Sequence, residues 1–204
     1  MPFVGPEEQV LVPSLPDAAD GESLYAAGWF TSVNGTTANR VVKLDVADGS
    51  IDPTFTASVD YIVKDMKLVG DRLVLAGKVN RVNGQPVSKL VSLDPDTGAT
   101  QTDFNLPVTE SRDEYAPYVA ELAASPDGRW LALSGSFEKV GTLTRNQLAV
   151  IDLEDPSGRP RVANWATDAF AGDCFDVYDD TYIHGLAIDP TSALCLANFA
   201  ARLE

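Results

Sequence analysis

The chain has 204 residues, 45% hydrophobic and 22% charged, with 30 acidic residues against 15 basic ones for a formal charge of −15. That composition suits a folded domain with a substantial core rather than a disordered chain. The excess of carboxylates opposes phosphate backbones and anionic membrane surfaces, so nucleic acid is not an expected partner. No window of about 18 apolar residues occurs, so no membrane-spanning helix is expected.

In chain order, the start at Met1-Pro2-Phe3-Val4-Gly5-Pro6 lacks the basic and apolar regions of a secretory signal. An apolar run at Val10-Leu11-Val12 and a polar turn at 17–21 lead into Ser23-Leu24-Tyr25-Ala26-Ala27-Gly28-Trp29-Phe30-Thr31-Ser32-Val33-Asn34-Gly35, which reads as a strand followed by a short loop. Lys43-Leu44-Asp45 ends another strand. Asp45-Val46-Ala47-Asp48-Gly49 is then a tight turn in which glycine supplies positive φ, and Phe55 closes the unit.

The same succession returns with the run Val63–Val69, the strand and loop Arg72–Gly84, Ser92-Leu93-Asp94, the turn Asp94-Pro95-Asp96-Thr97-Gly98 and Phe104. It returns again with Val119–Ala124, Arg129–Gly141, Val150-Ile151-Asp152, a turn ending at Gly158, and Trp165. A fourth copy begins at Gly185-Leu186-Ala187-Ile188 and reaches Ala193-Leu194-Cys195-Leu196. Gly28 to Gly77 is 49 residues and Gly77 to Gly135 is 58, and Asp45, Asp94 and Asp152 keep the same two steps.

Antiparallel four-stranded units at this period read as propeller blades, each burying both faces against its neighbours, which explains strands that are apolar at successive positions. The expected fold is all-β: a β-propeller-like arc of about three and a half four-stranded blades, with repeats at 8–57, 58–106, 107–166 and a partial one at 167–204. Closed propellers usually need four to eight blades, so a fragment or an arc completed by another chain is expected. A protein partner covering the terminal blade edges in a larger assembly follows from the same count.

Candidate chemistry is sparse. Asp45 with Asp48, Asp94 with Asp96, and the cluster Asp173, Asp176, Asp179 and Asp180 are candidate Ca²⁺ ligands. Capping of turn amides outweighs metal binding for the first two pairs. His184 is the only histidine and lies in no hydrolase or metalloprotease motif, so no catalytic residue is assigned and no enzyme is expected. Trp29, Tyr61, Tyr115, Tyr118, Phe175, Tyr178 and Tyr182 fall at strand ends or in insertions; Tyr115, Tyr118, Tyr178 and Tyr182 are the candidate ligand-stacking residues, while Trp29, inside a repeat landmark, is expected to pack between blades. Cys174 and Cys195 lie 21 residues apart, and a disulfide and two buried thiols are both open on the residues alone.

Leu24-Tyr25-Ala26-Ala27-Gly28-Trp29-Phe30-Thr31-Ser32-Val33-Asn34-Gly35, followed by Asn39-Arg40-Val41-Val42-Lys43-Leu44-Asp45, resembles the delta-60 repeat β-propellers of bacterial, notably actinobacterial, surface proteins. The usual form there is Tyr-Val-Gly-Gly-Xaa-Phe-Thr-Xaa-Val-Asn-Gly, then Asn-Arg-Leu-Ala-Xaa-Leu-Asp, a Thr-Gly turn and a Phe or Trp. The third repeat departs, with Gly141-Thr142 in place of Asn-Gly and insertions at 106–118 and 166–183. The resemblance implies a non-enzymatic extracellular or cell-surface module for structure or protein interaction; carriage in a phage virion is the alternative setting. A carbohydrate-binding or glycan-active propeller using the aromatic and acidic insertions is the alternative function.

The tail Cys195-Leu196-Ala197-Asn198-Phe199-Ala200-Ala201-Arg202-Leu203-Glu204 is similar to the family's cysteine-containing ending, which implies a Cys174–Cys195 disulfide. Titration of the denatured, unreduced chain is then expected to find no free thiol. Reduction should lower stability by about 3 kcal/mol, the chain-entropy value for a loop of roughly 20 residues.

Overall fold

The computed structural model describes residues 10–11, 23–111, 116–171, 183, 185–189 and 194–196. Among them no helix occurs, and the strands fall into successive antiparallel units. The first unit contains β1 (Val10–Leu11), β2 (Ser23–Gly28), β3 (Ser32–Val33), β4 (Thr36–Thr37) and β5 (Val41–Asp45). The second has β6 (Val63–Val69), β7 (Arg72–Gly77), β8 (Arg81–Val82), β9 (Gln85–Pro86) and β10 (Leu90–Leu93). The third has β11 (Val108–Thr109), β12 (Tyr118–Ala124), β13 (Trp130–Ser136), β14 (Lys139–Val140), β15 (Leu143–Thr144), β16 (Leu148–Asp152) and β17 (Arg161–Val162). A further pair, β18 (Leu186–Ile188) and β19 (Leu194–Leu196), follows.

The main sheets are ordered β1-β2-β5, β6-β7-β10 and β12-β13-β16-β17. Only the third is a four-stranded ladder. In the first two, the outermost strand shrinks to a single bridge, Leu44 with Ile51 and Leu93 with Thr100. The apolar runs are the inner strands, since β6 packs against β12 and β12 against β18. Across that inner line the Asp65 carboxylate accepts the Leu122 N–H at 2.7 Å, joining adjacent units.

The central strands β2 and β7 each serve two cores. In β7, Leu73 and Leu75 join Tyr25, Ala27, Val41 and Phe55 of the first unit, while Val74 and Ala76 join Leu131, Leu133, Ala149 and Ile151 of the third. All four β7 residues are at most 1% exposed. This two-sided burial is why the sequence shows a near-continuous apolar strand instead of alternation. Phe55 and Phe104 sit in these cores at 6% exposure, but Trp165, expected to close the third unit in the same way, is 43% exposed.

The recurring glycine has a steric cause. A Cβ built on Gly77 would lie 2.2 Å from the Ile62 carbonyl oxygen, and one on Gly135 would lie 2.2 Å from that of Tyr118. Gly77 ends β7 and Gly135 is the last residue but one of β13, each opposite a bulge in the inner strand, between Val63 and Asp65 or between Val119 and Glu121. The backbone therefore passes where a side chain would stand. A second repeated feature closes the ladder twelve residues after each glycine: Gly28, Gly77 and Gly135 donate their N–H groups to the carbonyls of Arg40, Lys89 and Gln147. Those three residues all have positive φ, 65°, 70° and 62°.

The segment expected as a plain loop is a small hairpin: β3 pairs with β4, β8 with β9 and β14 with β15. Asn34-Gly35 and Asn83-Gly84 both have positive φ (50° and 78°, 51° and 75°), the turn that matches strand twist. The chain approaching each inner strand adds to this hairpin, Val59 bridging Val82 and β11 pairing with β14.

Gly135→Ala is expected to destabilise by at least about 3 kcal/mol, because backbone on both sides must move. Gly84→Ala, with open space around its Cβ position and only an unfavourable φ, should cost about 1 kcal/mol. Urea unfolding of the two variants checks the contrast; equal losses would contradict the steric account.

Candidate aromatic and cationic recognition surface

The aspartates proposed for cation binding in the first two turns are engaged by backbone. Asp45 accepts the Ala47 N–H at 2.7 Å, and Asp94 accepts those of Asp96 and Thr97 at 3.1 and 2.8 Å. Asp48 accepts the Ser50 N–H at 2.8 Å, and Asp96 faces Lys43 at 3.4 Å. Bonds from Thr97 hold the Asp94 carboxyl below the usual carboxylate range, and bonds from Ser50 do the same for Asp48. These carboxylates build turns, the arrangement that glycine at the turn's end completes.

Among the other candidates, Asp173, Asp176, Asp179, Asp180, Cys174, Tyr115, Tyr178, Tyr182 and His184 lie outside the described residues. Cys195 belongs to β19, where its backbone faces Ala187. Tyr118 is 5% exposed, and the ammonium groups of Lys64 and Lys78 stand 4.9 and 5.0 Å from its ring centroid. Its ring is thus part of the protein's own packing, and not the open stacking platform expected from the sequence.

The half-exposed rings lie elsewhere. Trp29, expected between blades, is 43% exposed, as is Tyr61, and the two meet edge to face at 5.7 Å and 89°. Trp29 follows Gly28, where β2 ends, and the next residue, Phe30, takes the buried place instead at 4% exposure. The Arg40 guanidinium lies 4.5 Å above the Trp29 ring and donates to the Val59 carbonyl at 3.2 Å. Its Nε is buried with no hydrogen-bond partner.

The segment Val59–Ile62 ties this group to the second unit. Asp60 donates its N–H to the Arg81 carbonyl and accepts the Asn80 N–H, while the Ile62 carbonyl accepts that of Lys78. Lys89 in turn donates to Asn80. Burial draws the Lys89 ammonium below the usual lysine range; Asp60 acts against this and the positive charge of Lys78 reinforces it. Trp29, Arg40, Asp60, Tyr61, Lys78 and Lys89 therefore lie along one joint between the first two units.

A family model described as a domain of unknown function (DUF5122) β-propeller matches residues 19–55. The fold is of the β-propeller type. The match covers β2 to β5 with the following turn, and so includes both Trp29 and Arg40. No curated protein and no solved structure matches the chain.

The sequence already held a signal for this surface. Trp29 and Lys78 occupy one repeat position and Arg40 and Lys89 another, each pair 49 residues apart. Such positions differ between copies, so the recurrence that marks a blade does not mark them.

Arg72 and Asp103 offer a test of the electrostatics between strand and linker. The guanidinium makes two bonds to the carboxylate, at 3.3 and 2.5 Å, and these hold the Asp103 carboxyl below its usual range. A carboxyl with a depressed folded-state pKa contributes stability that is complete above its unfolded value, about 3.9, and is lost as pH falls through the lower folded value. Asp103→Ala should therefore cost about 1 kcal/mol at pH 7, and the difference from the parent should close below about pH 4. Comparing urea midpoints of the two proteins from pH 7 to pH 3 checks this, since repulsion among the other carboxylates is common to both.

Proposed function

We propose that the chain is a non-enzymatic binding or scaffolding module made of propeller repeats of the delta-60 type, working outside the cytoplasm on a bacterial surface or in a phage virion. The repeat resemblance and the β-propeller family model support the architecture in this reading. The observation that carries the binding role is the half-exposed Trp29–Tyr61 pair beneath the Arg40 guanidinium. Solvent-facing rings beside a cation are recognition chemistry: they supply contact area and fixed charge with little loss of side-chain freedom. A protein partner along the terminal blade edges belongs to the same proposal.

The carbohydrate-binding alternative is favoured by that pair too, because perpendicular rings at a surface suit stacking against a sugar face. A glycan-active enzyme would further require two carboxylates facing one cleft. Incubating the chain with bacterial envelope fractions and with a panel of chromogenic glycosides separates these readings. Saturable binding without product release is expected, and turnover that tracks the purified chain would replace the module with an enzyme.

A further inference from the structure

We propose that the surface of Trp29, Arg40, Tyr61, Lys78 and Lys89 binds a polysaccharide carrying carboxylate groups, a polyuronate in chemical class. The inference rests on the reading of the chain as a binding module and names the ligand of that surface.

Charge is the first argument. Lys43, Lys67, Arg72, Arg129, Lys139 and Arg161 each lie within ion-pair distance of a carboxylate. Arg40, Lys78 and Lys89 have no such partner among the described residues, although acidic residues outnumber basic ones by 30 to 15. Arg40 also keeps a buried Nε without an acceptor. Three cations grouped beyond ion-pair distance of any described carboxylate, with Asp60 acting on Lys89 from further away, give an anion a favourable place in so acidic a chain.

Repetition is the second. The two positions that hold Trp29 and Arg40 in the first unit hold Lys78 and Lys89 in the second, so side chains are presented at blade spacing. Positive φ disfavours a long side chain at Arg40 and Lys89, where asparagine or glycine would be less strained. In the third unit the equivalents are Ser136 and Gln147, 1% and 0% exposed, and Gln147 donates to the Phe170 carbonyl. The presenting surface thus has a defined end, and an extended polymer with regularly spaced charge suits it.

The rings decide between polymers. Trp29 and Tyr61 offer apolar area for the C–H face of a pyranose, while the cations answer its carboxylates. An acidic polypeptide would satisfy the cations but bring no flat face to the rings. A neutral glycan would cover the rings and leave the cations without a counter-charge.

The test is calorimetric titration of the full chain with oligogalacturonate, with the same oligomer methyl-esterified, and with polyglutamate of matched charge. Oligogalacturonate is expected to bind, with esterification or polyglutamate weakening affinity about tenfold or more. The double variant Lys78→Gln, Lys89→Gln should lose about tenfold for oligogalacturonate and flatten its salt dependence. Trp29→Ala should weaken oligogalacturonate about fivefold or more while changing polyglutamate little; Tyr61→Ala is the second ring variant if Trp29→Ala unfolds. Equal binding of polyglutamate would overturn the glycan assignment in favour of an acidic peptide, and equal binding of the esterified oligomer would overturn the role of charge. If no polymer binds while envelope fractions still do, the glycan assignment fails and the binding module stands; if neither binds, both fall.

Discussion

The central strands β2 and β7 are each shared between two cores, and much of the rest of the structure follows from that constraint. Leu73 and Leu75 point to one neighbour and Val74 and Ala76 to the other, so neither face of the second blade is available for chemistry. At about 25 cal/mol per Å² of apolar area, such burial dominates the favourable side of folding. Polar function is displaced to the ends of the blades, where strands turn over and side chains leave the sheet. Trp29 shows the transition within two residues: it lies outside, and Phe30 lies inside.

The fold was legible in the sequence because its requirements recur. A glycine whose Cβ position is occupied by a carbonyl oxygen admits no other residue without a backbone shift, and it therefore marks the same place in the blade at Gly77 and Gly135. The aspartate turns were legible for a similar reason, since Asp45 and Asp94 meet their own downstream amides whatever surrounds them. The small hairpins were not recognised, although Asn-Gly is a strong local turn signal, because strands of two residues show no periodicity.

The surface was harder to read for a different reason. Tyr118 and Trp29 were expected in each other's environments: the tyrosine looked like part of an exposed insertion, and the tryptophan like part of a buried landmark. Exposure of a ring depends on whether it precedes or follows the residue that enters the core. Beside Gly77 and Gly135 the inner strand bulges, a tertiary feature that spacing alone does not reveal. Lys64 and Lys78 above the Tyr118 ring come from a different unit from the tyrosine, more than 35 residues away in the chain.

The joint between the first two units was described through hydrogen bonds of its linker, and it also has a mechanical meaning. Tyr25 donates its hydroxyl proton to the Pro95 carbonyl at 2.7 Å, and Thr56 donates its N–H to that of Thr97 at 3.0 Å. Together with the bonds between Asp60 and the segment Asn80–Arg81, they fix the linker at several points along the second unit. Rocking of one blade against the other would have to break several of these at once. Groups contributed by both blades therefore keep a set separation in the free protein, and a partner that spans them loses little entropy to ordering the receptor.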